Sequence, residues 1–232
     1  MSNLIFFRKA VLIIHGFSGG TYDQELLCFE LERYKNLDVY NFTLPGHDKR
    51  TLKTVKYTEW VDAAEEKIKM LIKYGYKDIY LIGHSMGGVI ATYLSTKYKR
   101  VKKLVLVAPA FSYLAPTVDS KVTEKIKGGI HAFKQYDSGE MVNKFLKLPI
   151  SSLNEFVELV DKYNNSYKDI DIPVLLLQGE EDSIVPMQSS IDIYEKLNTK
   201  NKKLVLLEKT THEVYRTYNS VAIEEVVDFL LD

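Results

Sequence analysis

The 232-residue chain has one cysteine, Cys28, one tryptophan and six prolines, and neither sign of charge predominates, with 31 Lys and Arg against 31 Asp and Glu. A lone cysteine excludes an internal disulfide and leaves no thiol pair at a metal-ligand spacing, so a cytoplasmic protein is expected. Balanced charge without a long block of either sign argues against a nucleic-acid partner or a charged membrane surface. The short basic run from residue 99 to 103 reads as a solvated helix-to-strand corner. No apolar run approaches the roughly 20 residues that cross a bilayer, so stable membrane insertion is not expected. Val11-Leu12-Ile13-Ile14 runs straight into His15-Gly16 without a small-residue cleavage site, the pattern of a strand rather than of a secretory signal. Internal repeats and low-complexity tracts are also missing. No Gly-Lys-Ser or Gly-Lys-Thr follows the glycines at 16, 19 and 20, which weighs against a phosphate cradle.

What the chain does have is a series of short, β-branched apolar runs: 10–14, 37–42, 79–82, 104–108, 174–177 and 204–207. Such runs suit strands covered on both faces. Between them the period changes. Trp60, Ala64, Ile68, Leu71 and Ile72 fall at helical spacing, with Thr58 as a candidate cap and Glu65 four residues before Lys69. Ala222, Val226, Phe229 and Leu230 repeat the pattern near the end of the chain. Strands alternating with helices predict one α/β domain over 1–232, a mostly parallel sheet with helices on both faces. About 60 residues separate the strand ending near Ala108 from the one opening near Pro173, far more than a simple connection needs. Three amphipathic segments, around Ile126, Phe145 and Phe156, make residues 110–170 a candidate inserted helical cap. Phe133, Tyr136, Phe145, Phe156 and Tyr163 could line a pocket there, or simply pack.

The chemistry enters at Gly83-His84-Ser85-Met86-Gly87, between the apolar run 79–82 and the helical pattern from Val89 to Tyr98. Strand, sharp turn and helix around Gly-x-Ser-x-Gly form a nucleophile elbow, and the glycines let the backbone crowd while the serine hydroxyl is lifted clear of the sheet. A serine hydroxyl needs a base and a group to orient that base. Of five histidines, His212 lies just past the last apolar run, where an open parallel sheet presents functional groups. Asp182 lies similarly after the preceding run, with Glu180 and Glu181 as rivals. The order Ser85, Asp182, His212 is the one expected of this architecture. His15 is expected to hold its loop by hydrogen bonding, His84 to pack or bond below the turn, His47 to sit in a rim turn and His131 to belong to the cap. For a negative oxygen, the backbone N–H groups of Phe17 and Met86 are the candidate donors.

These residues resemble the α/β-hydrolase superfamily: His15-Gly16-Phe17, Gly83 through Gly88, Asp182 and His212 stand where that fold uses them. Within it the chain is similar to small bacterial carboxylesterases with a short helical cap and to monoacylglycerol lipases, as are Leu44-Pro45-Gly46-His47 and Asp182-Ser183-Ile184-Val185-Pro186. It departs in Asp48, where many relatives have glycine, and in the few residues before the first apolar run, which implies that one or both leading strands are absent. The resemblance implies hydrolysis of a small-molecule carboxylic ester, of short to medium acyl chain, through an acyl-enzyme, with no metal or organic cofactor. Its alternatives are a monoacylglycerol lipase or cinnamoyl-type esterase and, of another class, a non-catalytic hydrolase-fold protein that binds a ligand.

Overall fold

The computed structural model describes residues 7–47, 52–112 and 148–232. Each of the six apolar runs forms a strand: β1 (Lys9–Ile14), β2 (Leu37–Asn41), β3 (Ile79–His84), β4 (Val101–Val107), β5 (Val174–Gly179) and β6 (Lys202–Leu207). They pair in one sheet of order β2-β1-β3-β4-β5-β6, and every pairing is parallel. The prediction of a mostly parallel sheet is met by one that is entirely so among the described residues. Alternation sends Leu12, Leu81, Leu104 and Leu176 to one face and Ile13, Ile82, Val105 and Leu177 to the other, all buried. Burial on both faces explains why these runs are continuously apolar.

The helices divide between those faces. α1 (Glu25–Leu31) and α6 (Ser220–Leu231) cover one. α2 (Tyr57–Tyr74), α3 (Met86–Lys97), α4 (Ile150–Tyr163) and α5 (Met187–Lys196) cover the other. α2 begins two residues earlier than Thr58 suggested: the Glu59 carboxylate accepts from the Lys56 N–H at 2.9 Å, so Glu59 supplies the cap and Thr58 lies inside the helix. Glu65 meets Lys69 as expected and also Lys97, which fastens α2 to α3. Lys103 is not part of a solvated corner, because its Nζ donates to the Phe229 carbonyl at 2.8 Å and lies over the Tyr80 and Phe229 rings. Among the described residues no helix is long and apolar enough to cross a membrane.

Of the three amphipathic segments in 110–170, the third is α4; the first two, with His131, Phe133, Tyr136 and Phe145, lie outside the described residues, as does Asp48. α4 is fastened to the sheet domain. Glu155 accepts from the Tyr57 N–H at 3.0 Å and from Lys56 Nζ at 2.7 Å, and Thr54 bonds Ser151 and Ser152. A carboxylate at the first N–H of α2 also complements the positive end of that helix.

Candidate active site

Strand order reverses between β1 and β3, and an open parallel sheet forms its crevice at that point, outside the carboxyl ends of the strands. There β3 ends at His84, α3 begins at Met86, and Ser85 turns the chain with φ 52° and ψ −118°. An L-residue in that conformation stores on the order of 1–3 kcal/mol, so its surroundings must hold it. Ser85 N–H donates to the Val107 carbonyl at 2.9 Å, and the Ser85 carbonyl accepts from Gly88 and Ala110. The neighbouring glycines are steric necessities: a Cβ on Gly87 would stand 2.1 Å from the Ile14 carbonyl oxygen, and one on Gly83 would stand 2.4 Å from that of Gly87. Met86 N–H opens α3, where no intrahelical acceptor exists.

Asp182 and His212 meet at the same edge. Glu181 N–H donates to the Thr210 carbonyl at 3.0 Å, tying the loops after β5 and β6 together, and Gly179 lets Thr210 approach. His212 Nδ1–H then donates to Asp182 Oδ2 at 2.8 Å. With its proton on Nδ1, the neutral ring has its lone pair on Nε2, the form a general base requires. Asp182 Oδ1 accepts from the N–H groups of Ile184 and Val185 at 2.8 and 2.9 Å, and Oδ2 accepts from Gln178 Nε2 at 2.9 Å. Burial pushes the Asp182 carboxyl up, but the His212 charge and these hydrogen bonds outweigh it and hold it below the usual range. Burial acts on His212 in the opposite sense and is likewise outweighed by Asp182, which leaves the imidazole more basic than usual. Glu180 and Glu181, the rival carboxylates, are exposed.

His15, His84 and His47 behave differently. His15 donates from Nδ1 to the Gly16 carbonyl and accepts the Leu44 N–H at Nε2, holding two loops together as expected of it. Burial drives its pKa down to about 3, and nearby His47 and His84 add to the shift. His84 packs 4.8 Å from the His212 ring and donates from Nε2 to the His212 carbonyl at 2.9 Å, so the residue before Ser85 holds the backbone of His212. Burial lowers its pKa to about 4. His47 closes the expected turn, its N–H donating to the Leu44 carbonyl at 3.1 Å, but its ring is buried edge-on against His15, Phe17 and Trp60.

Phe17 follows β1 in the loop beside the elbow, where a Cβ on Gly16 would stand 3.1 Å from Ser85 Cβ. Its ring stacks on Phe156 of α4 at 5.2 Å and meets Trp60 edge-on at 5.8 Å. Tyr163, the other described residue among the five candidate pocket aromatics, packs on Tyr93 and Tyr57. Among the contacts beyond the sequence pattern are those of Gln178 with Asp182 and of Phe156 with Phe17. The available signal for the first was an amide closing the apolar strand Val-Leu-Leu-Leu-Gln-Gly. Among the described residues no three His, Cys, Asp or Glu side chains are grouped to hold a metal ion.

A model of the alpha/beta hydrolase family matches residues 11–229. The chain belongs to the alpha/beta hydrolase family. This alpha/beta hydrolase is similar to the carboxylesterase of Bacillus subtilis (strain 168), at 23% identity over 217 residues that span 89% of this chain and 85% of the relative. It is similar also to the thermostable monoacylglycerol lipase of Bacillus sp. (strain H-257), at 25% identity over 233 residues, 94% of this chain and 89% of the relative. Its fold matches the crystal structure of Paleococcus ferrophilus monoacylglycerol lipase with a TM-score of 0.72 and 22% identity, over 97% of this chain and 96% of that one.

Proposed function

We propose that this hydrolase is a serine carboxylesterase acting on small-molecule esters in the cytoplasm. Ser85 Oγ attacks the ester carbonyl carbon while His212 Nε2 takes its proton. The carbon–oxygen bond to the alcohol then breaks, and His212 returns the proton to the departing oxygen. Water repeats the sequence on the acyl-enzyme, releasing the acid and restoring Ser85. Asp182 stays ionised and orients the imidazole, and the N–H groups of Phe17 and Met86 receive the oxyanion, each such donor being worth on the order of a hundred- to a thousand-fold in turnover. Residues 110–170 act as the cap over the acyl chain, with Phe156 as one wall.

The observation that carries this reading is the buried Asp182–His212 pair, bonded through Nδ1, at the sheet edge where a strained serine opens α3. The relatives named carboxylesterase and monoacylglycerol lipase support the same class of substrate. Rates on p-nitrophenyl esters from acetate upward test it, with Ser85→Ala as control. Turnover of acetate and butyrate that vanishes in the variant is expected. A protein inert on every ester, or a variant as fast as the parent, overturns the proposal. A steep preference for acyl chains beyond about ten carbons would replace the short-chain assignment with the lipase one.

A further inference from the structure

Asp182 shares Oδ2 between two donors, and the second has no part in the mechanism above. Gln178, the penultimate residue of β5, is fully buried, with Nε2 2.9 Å from Asp182 Oδ2 and 3.2 Å from the carbonyl oxygens of Gly179 and Val185. Three acceptors around one end of an amide require that end to be the NH₂ group, which fixes the orientation of the side chain. The opposite end, Oε1, lies 2.8 Å from the hydroxyl of Ser190, itself fully buried in the first turn of α5. Since Oε1 can only accept, Ser190 is the donor. The bonds therefore run in one direction: Ser190 to Gln178, Gln178 to Asp182, and His212 to the same carboxylate oxygen.

We propose that Gln178 is a positioning residue for the reaction, held in place by Ser190, which aims Asp182 Oδ2 at His212 and moderates its hold on the imidazolium. This inference rests on the serine-esterase reading and adds to it. A carboxylate oxygen that already accepts a hydrogen bond concentrates less charge on the next donor, so Gln178 weakens the pull of Asp182 on the proton that His212 carries mid-reaction. It also denies the carboxylate a rotation that would leave His212 unpaired. Ser190 extends the hold into the helix wall: through Ser190, the placement of α5 against β5 sets the placement of the acid. The titratable and charged groups facing His212 are Asp182 from the loop after β5, His84 from β3, Glu213 next to it in the chain and Asp23 after β1. A change at 178 or 190 replaces none of these groups, so a shifted titration of His212 reports on how Gln178 holds Asp182.

The test is the pH profile of kcat and KM on p-nitrophenyl butyrate for the whole chain, comparing the parent with Gln178→Leu, Gln178→Glu and Ser190→Ala. Gln178→Leu is expected to lose about ten- to a hundred-fold in kcat at unchanged KM, a cost typical of slight misplacement of a catalytic group. Its acid limb moves up by about half a pH unit or more, because His212 holds its proton more tightly. Gln178→Glu moves the limb down, since a carboxyl buried beside Asp182 keeps its proton and donates it to Oδ2 more strongly than an amide does. Ser190→Ala shifts kcat and the limb in the direction of Gln178→Leu, by less. Thermal melts of each variant separate lost fold from lost positioning, and Ser190→Ala, which deletes only a hydroxyl, decides the matter if Gln178→Leu does not fold. Limbs and kcat that coincide with the parent, or a loss that only follows the folded fraction with the limb unmoved, overturn the inference. With Ser85→Ala inactive, that outcome refutes the role of Gln178 alone; with Ser85→Ala active, the serine mechanism itself fails.

Discussion

The two edges of the sheet are built on opposite terms. At the carboxyl edge stand four non-glycine residues with positive φ, Ser18, Ser85, Ala108 and Lys209, following β1, β3, β4 and β6. Buried titratable groups gather there too: His15, His84, His212 and Asp182. Among the described residues, the amino edge near β1 and β2 has no non-glycine residue of positive φ, and its carboxylate, Asp38, is part-exposed. Arg8 Nε donates to Asp38 at 2.7 Å, Tyr76 OH donates to the same carboxylate at 2.7 Å, and Tyr40 bonds Tyr76 at 2.8 Å, a cluster in relaxed backbone that runs from part-exposed Arg8 and Asp38 to buried Tyr76. Strain and buried ionisable groups gather at the edge that holds the proposed nucleophile and base, and the opposite edge contributes stability without strain.

Substitutions that separate activity from stability sharpen this contrast. The largest effect is expected for Ser85→Gly, which removes the attacking oxygen and relieves the positive φ. Ester turnover should fall by about 10⁴- to 10⁶-fold. The urea midpoint should rise, by an amount equivalent to about 1 kcal/mol. A lower midpoint would mean that the φ of 52° is not a strain. Asp182→Asn is expected to cost about 10⁴-fold in kcat, by stabilising the wrong His212 tautomer; full activity would remove Asp182 from the mechanism.

Gly87→Ala is the change that breaks both properties at once. The Ile14 carbonyl lies where the new methyl must go, so β1 and the elbow must part, and a loss of about 3 kcal/mol or more in urea unfolding is expected, with activity lost alongside. A stable, active variant would show the elbow to be looser than its contacts imply.

pH sets the two properties against each other within the carboxyl edge. Activity needs neutral His212, whose basicity is raised, so the acid limb of kcat/KM should fall above pH 6.5, the ordinary histidine value. The stability contributed by its charged form has the opposite sign: complete below 6.5, and lost as pH rises through the raised value. His15 and His84 stay neutral in the fold, with pKa values of about 3 and about 4. Their contribution is therefore present above 6.5 and lost as pH falls, each by about 1.4 kcal/mol per pH unit. Urea midpoints that decline from pH 6.5 to 4.5 and an activity limb above 6.5 are expected together; a flat series of midpoints contradicts the neutral histidines.

The smallest effect belongs to the amino edge. Tyr76→Phe removes one donor to Asp38 and should cost about 1 to 2 kcal/mol of stability, with kcat and KM unchanged. A change in turnover would show that the edges are coupled.

The strands, their burial on both faces, the elbow and the order Ser85, Asp182, His212 could be read from residue order, because each depends on periodicity or on neighbours a few positions apart. The Lys56–Glu59 cap was misread as Thr58 because several residues near a helix start can supply an acceptor, and only the path of the backbone selects one. That His84 holds the His212 carbonyl, 128 positions away, that Phe156 stacks on Phe17 and that Ser190 reaches Asp182 through Gln178 were decided by the tertiary structure. Each of those contacts joins groups from separate elements. A sequence shows which side chains must be buried, but the partner each one meets depends on how the strand ends and helices converge.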